Sequence, residues 1–169
     1  MTIHVGVLTV SDRCARGLRV DESGPALRRE IERRGWKMLR CRVVPDEQPQ
    51  IKEILLRWCD EGDISLILTT GGTGLSPRDI TPEATREVLD KELSGFGELM
   101  RSSAVRTTPT AALSRALAGS RGKTLIINLP GSPKGAAQSL SSVADLVPHA
   151  LAMLDGAGHA EKETPHARS

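Results

Sequence analysis

Apolar residues along this chain follow two rhythms, and the switches between them predict its elements. Residues 3–10 (IHVGVLTV) form a mostly apolar run of strand length. After a polar stretch with Gly17 and the run Asp21-Glu22-Ser23-Gly24-Pro25, Leu27 and Ile31 recur at helical spacing until Gly35 stops the helix. From Met38 to Val44, Leu39, Cys41 and Val43 take alternate positions, which predicts a second strand ended by Pro45. Ile51, Ile54, Leu55 and Trp58 then stand at i, i+3, i+4 and i+7, a helix running to Gly62. Ile64, Leu66, Ile67 and Leu68 make a third, fully buried strand, broken at Gly71-Gly72-Thr73-Gly74. A helix is predicted to start at Thr81-Pro82-Glu83, with the threonine as cap, and to reach about Leu93 before the breaker Ser94-Gly95.

Residues 96–108 predict a short helix followed by irregular chain, and Ala111, Ala112, Leu113, Leu117 and Ala118 a further helix ending at Gly119. A fourth strand covers Thr124 to Asn128. A last helix carries Ala137, Leu140, Val143, Ala144, Val147, Leu151 and Leu154, kinked near Pro148. Residues 156–169 are polar and aperiodic, so the expected organisation is one domain over 1–155 with a disordered tail. Strands alternating with helices predict an α/β fold with a mostly parallel sheet and helices on both faces.

Composition narrows the function. Only 2% of residues are aromatic against 38% hydrophobic, so the core is aliphatic, as buried parallel strands require. The 23 basic and 21 acidic residues nearly balance, leaving no electrostatic footprint for nucleic acid. No apolar stretch is long enough for a membrane span, and the N-terminus carries no signal-peptide pattern. Cys14, Cys41 and Cys59 are far apart and form no CxxC pair, which fits a reducing cytoplasm. Gly119 to Thr124 looks like the end of a P-loop, but Leu117 stands where its first glycine belongs and the run precedes a strand. The four histidines have no ligand spacing.

In open parallel sheets, ligands bind beyond the carboxyl ends of the strands. The loops there hold Ser11, Asp12 and Arg13; Asp46 and Glu47; the glycine loop with Arg78 and Asp79; and Pro130-Gly131-Ser132. A glycine-dense turn between strand and helix lets backbone N–H groups close on an anion, because no Cβ intervenes. Arg78 offers a cation for a phosphate. Asp46 and Asp79, from separate loops, suit a hydrated Mg²⁺ completed by substrate phosphates. Asp46 serves equally as a cap of the following helix; the local alternatives are a turn cap for Asp79 and an ion pair for Asp12 and Arg13, while Ser132 is a helix cap that can also hold a phosphate. The chemistry indicated is transfer at a phosphate ester.

The blocks SDR (11–13), DESGP (21–25), PDEQ (45–48), LTTGGTGLSPRDITPEAT (68–85), PTAALSR (109–115) and INLPGSPKG (127–135) resemble, in order, those of the molybdenum-cofactor biosynthesis (MogA/MoaB) family. The resemblance covers residues 3–154. It implies a three-layer α/β/α sandwich, a homotrimer, and Mg²⁺-dependent transfer of AMP from ATP to the terminal phosphate of molybdopterin, with a molybdate-inserting enzyme acting downstream. By motif, Asp46 and Asp79 match the family's essential acids and Ser114 a nucleotide-binding serine. Gly71, Gly72, Thr73 and Gly74 match the loop around the pterin phosphate, and Pro130, Gly131 and Ser132 a loop lining the cleft. Ser114 is reached only through the resemblance. A second reading is a non-catalytic molybdopterin-binding protein that presents the precursor to a partner; Mg²⁺-dependent consumption of ATP separates the two.

Overall fold

The computed structural model describes residues 2–156, so the tail expected at 156–169 lies, but for Gly156, outside the described residues. Strands β1 (His4–Val10), β2 (Lys37–Val44), β3 (Leu66–Thr70) and β6 (Thr124–Leu129) are the four the pattern predicts. Two short strands, β4 (Lys91–Glu92) and β5 (Ala118–Arg121), extend the sheet, giving the order β2-β1-β3-β6-β5-β4. The β2-β1-β3-β6 section is parallel throughout; β5 pairs antiparallel with β6, and β4 antiparallel with β5.

Because side chains alternate across a strand, each central strand feeds two cores. Val5, Val7, Leu66, Leu68, Leu125 and Ile127 face one layer, with α2 (Ser23–Arg33), α5 (Ser94–Ala104), α6 (Pro133–Val143) and α7 (Val147–Leu154) packed on them through residues such as Leu27, Met100, Leu140 and Leu151. Leu8, Ile67 and Ile126 face the other layer and meet Ile51, Leu55 and Trp58 of α3 (Gln48–Glu61) and Ala84 of α4 (Thr81–Arg86). The result is the three-layer α/β/α sandwich. On the edge strand β2, Leu39 and Val43 remain 37% and 36% exposed, since nothing among the described residues covers that face.

Five expectations need correction. The helix from Thr81 ends at Arg86, not near Leu93, because Asp90 and Leu93 give their N–H groups to Ser120 and Ala118 of β5 instead. Ser94 starts a helix rather than breaking one. Residues 111–118 are not a helix: a 3₁₀ turn spans Pro109–Leu113, and the chain then runs extended into β5. Gly119 lies within that strand, where a Cβ would stand 2.4 Å from the carbonyl oxygen of Lys91 on β4. Thr81 is not the cap of α4; Ile80 is, while Thr81 sits in the first turn with its N–H bonded to Gly72 O. The P-loop look-alike is the hairpin between β5 and β6, turning at Gly122-Lys123 with Gly122 at φ +54°. The last helix is divided by a 3₁₀ turn at Ala144–Leu146, and Pro148 falls in the first turn of α7, where its missing N–H costs nothing.

Candidate active site

The parallel strands deliver four loops to one edge of the sheet. After β1, Ser11 caps the one-turn helix α1 (Asp12–Ala15), its hydroxyl accepting from Cys14 N–H. After β2, Asp46 is not a helix cap: Glu47 occupies that position, without a side-chain bond. The Asp46 carboxylate turns to the neighbouring loop, where Oδ2 accepts the Asp12 N–H at 2.8 Å, while Asp46 N–H donates to Asp12 Oδ1 at 3.0 Å. This reciprocal pair staples the β1 and β2 loops together. Asp12 makes no ion pair with Arg13 but a two-pronged one with Arg78, at 3.0 and 2.9 Å, and Arg78 also reaches Glu47 at 2.9 Å. The guanidinium expected to meet a phosphate is therefore held over the two acidic loops.

The loop after β3 is pressed against the backbone of β1. A Cβ on Gly71, at φ +99°, would lie 2.3 Å from the carbonyl oxygen of Val10, so only glycine fits. The N–H groups of Gly72, Thr73 and Gly74 meet no protein acceptor among the described residues, which leaves them available to an anion. Asp79 closes its own loop: its N–H donates to Ser76 O, and its Oδ2 accepts the Ser76 N–H, both at 2.9 Å. Behind this loop, Asn128 Nδ2 donates to the hydroxyls of Thr69 and Thr85 at 2.9 Å, a buried tie that fixes α4 against β3 and β6. The loop after β6 is held by Thr70, whose hydroxyl donates to Pro130 O, and by Ser23, whose hydroxyl donates to Gly131 O, both at 2.7 Å. Ser132 caps α6 as expected, accepting from Gly135 N–H.

These loops enclose a cleft with two lobes. One, of about 420 Å³, runs from Thr73 and Gly74 past Met100 and Ala104 to Ser114 and Lys134. The other, of about 340 Å³, is lined by Ser11, Asp21, Asp46 and Gly71, with Arg19 as its one cation among the described residues. Gly72, Asp79, Gly131 and Ser132 belong to both. The structure thus brings together Asp46, Asp79, Ser11, Ser132 and the glycine loop. It adds Ser114, which the extended chain after the 3₁₀ turn delivers to the wall facing Gly74. Arg101, which pattern reading passed over, supports that wall by donating to Ala116 O at 2.8 Å and to Ser114 O at 3.3 Å.

Burial raises the Asp46 carboxyl above the ordinary aspartate range, with the Asp12 and Asp79 charges acting in the same direction. Asp12 is lowered, chiefly by its bonds to Arg78. A half-buried carboxylate facing a second one disfavours its own charge, and a cation between them would relieve that cost. Asp46 Oδ1 and Asp79 Oδ1 carry no protein donor among the described residues. No group of three or more His, Cys, Asp or Glu side chains among the described residues could hold a metal by itself. Two carboxylates suit Mg²⁺, which takes most of its shell from phosphates and water. The residues present therefore fit that ion.

Fold and site together define an α/β protein with a cleft at the carboxyl edge of its parallel strands, lined by backbone N–H groups free to meet an anion. Residues 6–149 match the family described as a probable molybdopterin binding domain, and the chain belongs to that family. It is 45% identical over 157 residues to a molybdopterin adenylyltransferase of Helicobacter pylori (strain J99), covering 92% of this chain and 89% of that one. The fold is similar to the crystal structure of the molybdopterin biosynthesis enzyme MoaB from Thermus thermophilus, with TM-score 0.86, 53% identity, and coverage of 92% of this chain and 98% of that one. It is also similar to the tungsten cofactor synthesizing protein MoaB from Pyrococcus furiosus, with TM-score 0.81, 35% identity, and coverage of 90% and 97%.

Proposed function

We propose that this protein is a molybdopterin adenylyltransferase, transferring AMP from ATP to the terminal phosphate of molybdopterin. The observation that carries the reading is the cleft of two lobes meeting at Gly72, Asp79, Gly131 and Ser132. Each lobe takes one organic end of the two substrates, and the phosphates meet at the junction. An oxygen of the molybdopterin phosphate attacks the α-phosphorus of ATP, the bond to the β-phosphate oxygen breaks, and pyrophosphate leaves. The unengaged N–H groups of Gly72 to Gly74 orient the phosphates and oppose the charge that builds there. Asp46 and Asp79 would hold Mg²⁺, which supplies Lewis-acid neutralisation of the phosphate oxygens. Asp12 and Arg78 keep the Asp46 carboxylate aimed. Names of relatives at 45% and 39% identity, each a molybdopterin adenylyltransferase, support the choice over a binding-only role. We further read the protein as a cytoplasmic homotrimer whose product passes to a molybdate-inserting enzyme. No helix among the described residues is long and apolar enough to cross a membrane.

Single-turnover reactions with molybdopterin, ATP and Mg²⁺, following pyrophosphate and adenylylated pterin, test the reading. Product should require Mg²⁺ and fall at least ~100-fold in Asp79→Asn, on the scale of losing one electrostatic catalytic group. Pterin binding without product would move the chain to the binding class.

A further inference from the structure

Arg115 stands next to Ser114 yet turns away from it into the glycine loop. Its N–H donates to Thr73 O at 2.9 Å, Nε to Gly74 O at 2.8 Å and a terminal nitrogen to Asp79 O at 2.7 Å. The remaining terminal nitrogen meets the Glu83 carboxylate on α4. One side chain thus spans both ends of the 74–79 loop and anchors them to the helix behind. Asp79 and Ser114, on two walls of the same lobe, come from separate segments of the chain but are joined through this one residue. On its outer side the loop is tied to the neighbouring loops by Arg78, which reaches Asp12 and Glu47, but that side chain leaves the turn itself open. Leu75 is 68% exposed, and among the described residues the only bonds across the turn are the two between Asp79 and Ser76.

We infer that Arg115 is a positioning residue that sets the Asp79 carboxylate and the Ser114 wall in register for the transfer, an inference that rests on the adenylyltransferase reading. A planar fork with fixed donor directions can bracket two carbonyls and a carboxylate at once; a lysine ammonium keeps the charge but not that geometry. Arg115 touches no reacting atom in this arrangement. Its effect is on where Asp79 stands, and a small displacement of a catalytic group is costly.

The test compares wild type with Arg115→Lys in two measurements. The first is amide exchange at Ser76 and Asp79, whose N–H groups make the bonds across the turn. Exchange there should accelerate at least tenfold in the variant, while amides of β3 and β6 keep wild-type protection. The second is steady-state kinetics: kcat should fall at least tenfold per folded protein, with KM for ATP and molybdopterin within threefold. In Arg115→Ala, millimolar guanidinium should restore part of kcat. Faster exchange with kcat within twofold of wild type would overturn the inference, because loop order would then not govern transfer. A fall in kcat with unchanged exchange would also overturn it, as would exchange accelerated equally in β3 and β6, the mark of a residue that merely stabilises the fold. Wild-type protein without turnover would instead defeat the adenylyltransferase reading, and the exchange result would still report whether Arg115 holds the loop.

Discussion

Replacing Gly72 by alanine isolates how tightly the glycine loop is built. Gly72 adopts φ +66°, and a left-handed conformation costs an alanine about 1–2 kcal/mol. Its Cβ would also stand 2.3 Å from Thr81 Oγ1 and 3.1 Å from Asp46 Oδ1, so the helix or the aspartate must move. Overpacking of this kind costs about 1–3 kcal/mol, for a combined loss of about 2–5 kcal/mol. The Thr81 hydroxyl is buried and has no partner among the described residues, so Thr81→Ala alone forfeits no hydrogen bond and should stay within about 1 kcal/mol of wild type. In the double variant the clash with Oγ1 disappears but the dihedral strain remains. A double-mutant cycle should therefore return a favourable coupling of about 1–3 kcal/mol. Equilibrium unfolding in urea of the four proteins measures it directly. Additivity within about 0.5 kcal/mol, or a Gly72→Ala protein as stable as wild type, would refute the reasoning. Turnover should be lost in Gly72→Ala and not recovered in the double variant, because the added methyl still crowds Asp46.

Two further outcomes are expected. Asp46 is raised by burial, so its protonated form is the one that folding favours; its contribution to stability is present below the ordinary aspartate range and lost as pH rises through its raised value. Asp46→Asn should thus be at least as stable as wild type at about pH 7, with the advantage shrinking by about pH 4, in urea melts across that range; a variant most destabilised at neutral pH would contradict this. Sedimentation equilibrium should return the mass of a trimer, and a monomeric mass at micromolar concentration would remove the homotrimer from the reading.

Long-range pairing explains where pattern reading failed. Residues 111–121 are mostly Ala, Leu, Ser, Gly and Arg, which suit a helix as well as a strand by periodicity. The choice was made by β6, whose partner-free side pairs with Ala118–Arg121 through a two-residue turn. The helix from Thr81 stopped early for the same reason, since β5 claims the N–H groups of Asp90 and Leu93. At the site, Arg78 and Arg115 were unreadable as clamps because Asp12 lies 66 residues from the first and Gly74 lies 41 from the second.

By itself the sequence determined the four parallel strands, the helices α2 and α3 and the loops that carry the chemistry. Buried parallel strands must be continuous apolar runs, and strand-to-helix turns must hold glycine, proline and capping residues, so these features are written locally. The tertiary structure alone decided how the loops lock. Asp46 gave up its helix to bond Asp12, Arg78 settled on Asp12 and Glu47, and Ser114 reached the cleft on an extended segment held by Arg101 and Arg115. Each of those outcomes depends on which donor and acceptor from distant segments arrive at the same sheet edge. No local propensity encodes that arrival; it follows from the order β2-β1-β3-β6 in which the strands assemble.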